Sequence, residues 1–428
     1  MLMMQQKRNA VNGSTESTSD FDVVVVGSGF GGSVAALRLS EKGYRVCVIE
    51  AGRRFADTDF ADSAWKLHKL AFAPKLGMYG LYRVHLLRNV AVLAGAGVGG
   101  GSLNYGNTLY RPPAGFFEDR QWSAITDWRS ELEPHYDQAE RMLGVVTNPL
   151  RTYSDQIMGD VARDLGVSHT FSPTKVGVYF GDKGQRDEGQ KGSPAGDPFF
   201  GGAGPDRVSC TECGSCMTGC RVGAKNTTIK NYLALAEGSG ARIIDRTTVK
   251  SIEPLGNRWE VRTASSSSWG PIGPRPRTIT ADHVVVAAGT YNTQRLLHHS
   301  SGRGKLPLMS PRLGHLTRTN SESILCATRR RYDAARDTSQ GIAITSSFYP
   351  RDDTHIEPVR FGPGFNAIGG LFTPLTDGDP GKARWRKMID RMIAEPTSGR
   401  QMLSFRRRAQ RSIIILVMQN RDNSLTTF

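Results

Sequence analysis

Hydrophobic residues in this chain follow two spacings. Phe21 to Val26 (FDVVVV) is an unbroken β-branched run that stops at Gly27. Such a run predicts a buried parallel strand meeting a turn. Ser33 to Lys42 (SVAALRLSEK) places small and apolar residues at helical spacing, Gly43 ends it, and Tyr44 to Ile49 reads as a second strand. Together they make a βαβ unit at the start of the folded part. Further on, Asp127 to Leu143 and Thr227 to Ala236 predict helices, while Ile243 to Ile252 and Trp259 to Arg262 predict strands. His283 to Ala288 is another buried strand, closed by Gly289 and followed by a helix. From about Ser323 the strands lengthen and alternate, as an antiparallel sheet requires. Ser412 to Gln419 continues that pattern, Asn420 to Asn423 is a turn, and Ser424 to Phe428 starts a returning strand. Ala91 to Asn107 is too rich in glycine for regular structure, and Gly181–Gly204 and Ser265–Pro276 read as loops.

A chain of 428 residues with 38% hydrophobic residues can bury a real core, and its length suggests two domains around a shared cleft. The 48 glycines point to many tight turns and close backbone–ligand approaches. Residues 1–20 carry no apolar run, so they predict a disordered lead-in rather than a signal peptide or membrane span. Six cysteines in this length do not form a disulfide scaffold, which places the chain in a reducing cytoplasm. The net charge of +15 is concentrated: Lys382 to Arg411 holds ten basic residues against Asp390 and Glu395. Such a patch suits an anionic partner. No nucleic-acid-binding motif accompanies it, so a nucleic acid is not the expected partner.

Gly27, Gly29 and Gly32 form G-x-G-x-x-G between the first strand and its helix. In that motif one glycine allows the turn, one lets backbone approach a pyrophosphate, and one lets helix and strand pack closely. The helix N-terminus offers free N–H groups to the phosphates. Glu50 ends the second strand, 18 residues beyond Gly32, where a carboxylate receives ribose hydroxyls. A carboxylate there disfavours a phosphorylated ribose, but this motif alone does not separate NAD from FAD. Gly95, Gly97, Gly99, Gly100 and Gly101 are followed by Ser102, Leu103 and Asn104. That stretch suits backbone laid against a flat, bulky ligand, for which a flavoprotein has use.

The stretches VVVVGSGFGGSVAALRLSEKGYRVCVIEAGRR, LAGAGVGGGSLNYGNTLYRPP, CRVGAKNTTIKNYL, VVVAAGTYNTQRLL and THIEPVRFG stand in this order. Together they resemble the glucose–methanol–choline (GMC) oxidoreductases, in their actinobacterial cholesterol-oxidase-like branch. The resemblance implies an α/β fold in which a Rossmann-like FAD-binding domain (21–150 and 205–322) is interwoven with an α+β substrate domain. The substrate domain (151–204 and 323–428) is built on an antiparallel sheet. It also implies that the first turn binds the ADP half of FAD and that Gly97, Gly101 and Asn104 lie along the flavin. Val249 would touch the adenine through its backbone, and the Ala288–Gly289 turn would close on the cofactor. Val249 serves equally well as an ordinary core residue.

The implied activity is oxidation of a hydrophobic secondary alcohol, a 3β-hydroxysterol, with molecular oxygen or an electron carrier as acceptor. The family's His and Asn pair for the substrate hydroxyl is expected beyond Phe428. On that reading the chain is cut short and inactive as it stands, or is a non-enzymatic product.

Cys210, Cys213, Cys216 and Cys220 stand as C-x2-C-x2-C-x3-C, an iron–sulfur spacing that zinc could also use. Arg221 follows where a ferredoxin has Pro, there is no second run, and the resembling family does not use these cysteines as ligands. A metal or cluster feeding electrons to a carrier, free thiols, and a disulfide therefore all stay open. Cys47 and Cys326 are expected in the core.

Isomerisation of a sterol ring double bond needs a carboxylate that moves a proton between two carbons. Glu357, in His355-Ile356-Glu357, is the candidate, with a surface pair to Arg360 as the alternative. Trp385, Met388, Met392 and Ile393 recur at helical spacing among basic residues. That helix either packs on its own domain or docks peripherally on a membrane.

Overall fold

The first strand, β1 (Phe21–Val26), is sealed on both faces, which is why its apolar run is continuous. The computed structural model of the chain describes residues 19–87, 90–181, 188–267, 276–377, 383–396, 404–421 and 423–428. The lead-in up to residue 18, and parts of the two expected loops and of the basic stretch, lie outside the described residues.

β1 belongs to a six-stranded sheet with β2 (Val46–Ile49), β3 (Arg242–Ile244), β4 (Thr247–Leu255), β5 (Arg258–Ser265) and β6 (Pro276–Val286). The spatial order is β3-β2-β1-β6-β5-β4, with the first four strands parallel and the last two antiparallel. Alternate residues of β1 feed opposite cores. Val23 and Val25 pack under α1 (Phe30–Glu41) and α2 (Tyr232–Gly238), with Ala36, Leu37 and Tyr232. Val24 and Val26 pack with Cys47, Ile252, Val261 and Leu296, the last from α3 (Thr290–Gly302).

A second, antiparallel sheet joins β7 (Ser323–Thr328), β8 (Ser346–Arg351), β9 (Thr354–Val359) and β10 (Ser412–Gln419) in the order β7-β10-β9-β8. The short strand Ser172–Pro173 extends it beside β8. Its core includes Val176, Phe180, Ile342, Ile344, Val359 and Ile414.

Three local expectations are corrected. Ala91–Gly95 is regular after all: it pairs with Tyr82–Leu86, and the glycine-dense part begins only after it. The single strand expected over Ile243–Ile252 is two, because Arg246, at φ 48°, turns the chain between parallel β3 and antiparallel β4. The chain after β10 does not return along it. Leu425 instead bridges Thr317, with backbone bonds of 2.9 and 2.7 Å.

Candidate flavin cleft and carboxylate site

Three turns meet at the carboxyl ends of β1, β2 and β6, where strand order reverses and doubly wound sheets bind ligands. The glycines of the first turn have separate mechanical tasks. Gly27 adopts φ +98°, and a side-chain carbon on it would lie 2.5 Å from the Ala287 carbonyl oxygen and 2.9 Å from the Ala288 Cα. A side-chain carbon on Gly32 would lie 1.9 Å from the Gly27 carbonyl oxygen. Gly29 has nothing within 4 Å on its side-chain side. Gly29 is also the N-cap of α1, without a side-chain cap and with no acidic residue in the first turn. The helix therefore presents its amide groups and dipole to open space.

Glu50, 9% exposed, sits across this turn. Its Oε2 accepts from the Ser28 amide (3.2 Å) and hydroxyl (2.7 Å), and its Oε1 from the Gly52 amide (2.9 Å). A carboxylate has about four lone-pair sites, so one remains for a ribose hydroxyl.

The second glycine segment is pressed onto the first turn. A side-chain carbon on Gly100 would lie 2.7 Å from the Gly29 Cα, and one on Gly52 would lie 2.2 Å from the Gly97 amide nitrogen. The Gly99 amide donates to the Ser28 hydroxyl at 3.0 Å. Gly101, like Gly29 and Gly289, has no neighbour within 4 Å on its open side. Half-buried Asn104 closes the Gly100–Leu103 turn, its amide donating to the Gly101 carbonyl at 3.2 Å. Ala288 packs against the core that holds Val24 and Val26, beside the Gly27 turn. Val249 is half-buried, and a register shift of β4 against β5 falls between it and Ser251.

A clamp that motif reading did not identify holds the segment from behind. The Thr228 amide donates to the Ser102 hydroxyl (3.0 Å), which donates to the Gly99 carbonyl (2.7 Å). The Tyr105 hydroxyl donates to the Asn226 carbonyl at 2.7 Å. Lys225 Nζ donates to the carbonyls of Leu103 (3.1 Å), Tyr105 (2.7 Å) and Cys216 (3.0 Å). The only signal for this in the sequence was the CRVGAKNTTIKNYL stretch.

The segment then runs on to Tyr110. Gly106 packs against Ile344, which bridges to Val359 of β9, so the glycine segment is tied to the second sheet. Glu357 of β9 is 2% exposed and does not form the expected surface pair, because Arg360 is itself buried and donates to Thr152 and Thr345. Burial pushes the Glu357 carboxyl up to about 7, against the lowering effect of the Tyr110 hydroxyl. Burial holds the His355 imidazole down to about 4, so this ring is neutral. The His355 ring is stacked on Tyr349 (4.5 Å) and met edge-on by Tyr110 (4.9 Å). Its Nε2 lies 3.8 Å from Glu357 Oε1, and neither buried atom has a hydrogen-bond partner among the described residues. Buried polar atoms are rarely left without partners, which sets this pair apart from the surrounding core.

The cysteine reading changes most. Cys210, Cys213, Cys216 and Cys220 line one small cavity with Val178, Val222, Ala224 and Lys225. All six cysteines carry free thiols. Among the described residues no group of three or more His, Cys, Asp or Glu side chains is arranged to hold a metal ion. The thiols thus share one small cavity without an arrangement suited to a metal ion. Burial pushes Cys216 up to about 11 and Cys210 well above the usual thiol range, which keeps both protonated. Cys47 is buried as expected, whereas Cys326 is only partly covered.

Comparison with known proteins agrees with this geometry. A profile described as FAD dependent oxidoreductase matches residues 22–99, and one described as GMC oxidoreductase matches residues 204–316. Cholesterol oxidase from Mycobacterium tuberculosis is 55% identical over 414 residues, spanning 96% of this chain and 71% of that protein. Cholesterol oxidase from Acinetobacter baumannii is 40% identical, spanning 96% of this chain and 74% of that protein. A long-chain-alcohol oxidase from Arabidopsis thaliana is 28% identical, spanning 86% of this chain and 45% of that protein.

The chain belongs to the GMC oxidoreductase family.

Within that family it lies on the cholesterol-oxidase branch, and its cofactor is FAD. The residues fit the cofactor of a GMC oxidoreductase. An uncapped helix end suits a pyrophosphate, Glu50 keeps a free acceptor position, and side-chain-free backbone lies open at Gly29, Gly101 and Gly289.

Proposed function

We propose that this protein oxidises the hydroxyl of a 3β-hydroxysterol and that Glu357 moves the ring double bond afterwards. The observation that carries this reading is a buried carboxyl poised near neutrality on the sheet tied to the FAD cleft. Bound FAD would supply the acceptor for the carbinol hydride, with oxygen as the final electron acceptor. Gly97, Gly101 and Asn104 would lie along the flavin, Gly27, Gly29, Gly32 and Glu50 would hold the ADP half, and Val249, Ala288 and Gly289 would complete its site. At pH 7 Glu357 is shared between its acid and base forms, so it can take a proton from one ring carbon and return it to another. The Tyr110 hydroxyl interacts with Glu357, and Tyr110 and Tyr349 pack on the neighbouring His355 ring. Among the described residues the thiols form no group arranged to hold a metal ion.

The test is Glu357→Gln in the FAD-loaded protein. Unconjugated ketone should accumulate while flavin reduction by the sterol continues. Normal formation of the conjugated enone would remove Glu357 from the mechanism.

The finer proposal concerns access to a lipid substrate from the cytoplasmic side. No helix among the described residues is long and apolar enough to cross a membrane. However, α4 (Arg384–Ala394) buries no residue, and Trp385, Ile389 and Ile393 are 57%, 42% and 71% exposed. They recur every four residues on one face, with Arg384, Arg386, Lys387 and Arg391 in the same helix. An apolar stripe edged by cations fits peripheral contact with an anionic lipid surface.

A further inference from the structure

Lys225 is a buried charge behind the glycine segment that the oxidation step does not use. It is 1% exposed. Its three ammonium protons point at three carbonyls, those of Leu103, Tyr105 and Cys216, at 3.1, 2.7 and 3.0 Å. The ammonium also lies over the Tyr105 ring, 4.5 Å from its centroid. No carboxylate is among these partners, and the neighbouring thiol of Cys216 stays protonated, with its ordinary range raised to about 11. Burial lowers Lys225 itself only to about 8, so it is mostly charged at neutral pH. A buried charge without a counter-ion is costly, and the carbonyls could be satisfied by a neutral donor at lower cost.

The position of the charge suggests its use. Two of the three carbonyls flank Asn104, so the ammonium backs the stretch assigned above to the flavin. We propose that Lys225 is a positioning residue that sets the electron affinity of the bound flavin through its charge, by clamping the Leu103–Tyr105 backbone. The proposal rests on the FAD reading of that stretch. Two-electron reduction places negative charge on a flavin ring, and a cation in a poorly screened site favours the form that carries it. Lys225 is 1% exposed and lies over the Tyr105 ring, so bulk water screens its charge poorly. The cysteine run lines a small cavity beside Lys225.

The test compares Lys225→Gln, which keeps N–H donors but removes the charge, with Lys225→Arg, which keeps the charge. Holoprotein midpoint potentials are measured by anaerobic spectroelectrochemistry. The Gln variant should shift the reduced-to-oxidised ratio about tenfold toward oxidised flavin, about 30 mV for a two-electron couple. The Arg variant should stay within about twofold of the parent. Where a variant releases flavin during purification, titrating its apoprotein with oxidised and with reduced FAD gives the same ratio. Equal ratios for the Gln and Arg variants would overturn the proposal. So would a Gln variant that binds neither form while the Arg variant binds both, since the charge would then be needed only for building the cleft. Failure of the parent protein to bind FAD would instead sink the cofactor assignment.

Discussion

Two glycines three residues apart should fail in opposite ways when replaced. Gly29→Val puts a branched side chain where nothing lies within 4 Å, on a backbone at φ −67°, which valine accepts. Folding should be nearly unchanged, since a poorer N-cap costs only about 1 kcal/mol. The new methyl groups would project into the space assigned to the pyrophosphate, and FAD affinity should fall at least about a hundredfold, close to 3 kcal/mol. Gly32→Ala adds a single carbon, yet it would lie 1.9 Å from the Gly27 carbonyl oxygen, a backbone atom held by the β1 turn. The helix must shift off the strand, at about 3 kcal/mol or more by the measure of overpacked cores. That corresponds to several degrees of midpoint temperature. The assay is a thermal melt of each apoprotein, followed by titration with FAD and flavin fluorescence. The reasoning fails if Gly29→Val melts several degrees low, or if it retains normal flavin affinity while folded.

Other outcomes follow from single groups. Glu357 holds its proton to about pH 7 in the folded state, above its ordinary 4.5, so stability should fall as pH rises between these values and level off above them. The span is at most about 3 kcal/mol. Urea melts near pH 5 and pH 8 should show this slope vanishing in Glu357→Gln, and parallel profiles for the two proteins would contradict it. Ellman's reagent should find six thiols in denaturant, with Cys216 silent in the native protein; fewer than six would mean a disulfide. Trp385→Ser with Ile389→Ser and Ile393→Ser should leave the melting temperature within about 2 °C, because these side chains are exposed, and should weaken sedimentation with anionic vesicles. Unchanged sedimentation would remove α4 from the lipid contact.

What the sequence determined by itself is local. β1, α1 and β2 follow from runs and periods within thirty residues, and both faces of β1 are covered as an unbroken β-branched run demands. Gly27, Gly29, Gly32 and Glu50 could be placed from spacing because a turn, a cap and a strand end are each fixed by their neighbours. The cysteine run shows the limit of such spacing. Whether four thiols converge depends on backbone held by distant segments, and here it lines an apolar cavity with them. Glu357 was legible as a carboxylate on an alternating strand, but not as a buried one. Its burial depends on Tyr110 from the glycine segment and on the sheet that β9 shares with β10. The same holds for Lys225, whose partners lie 122 and 120 residues earlier in the chain. Side-chain pattern encodes which face of an element is apolar. Only packing decides which charges those faces enclose, because burial and its electrostatic cost come from segments remote in sequence.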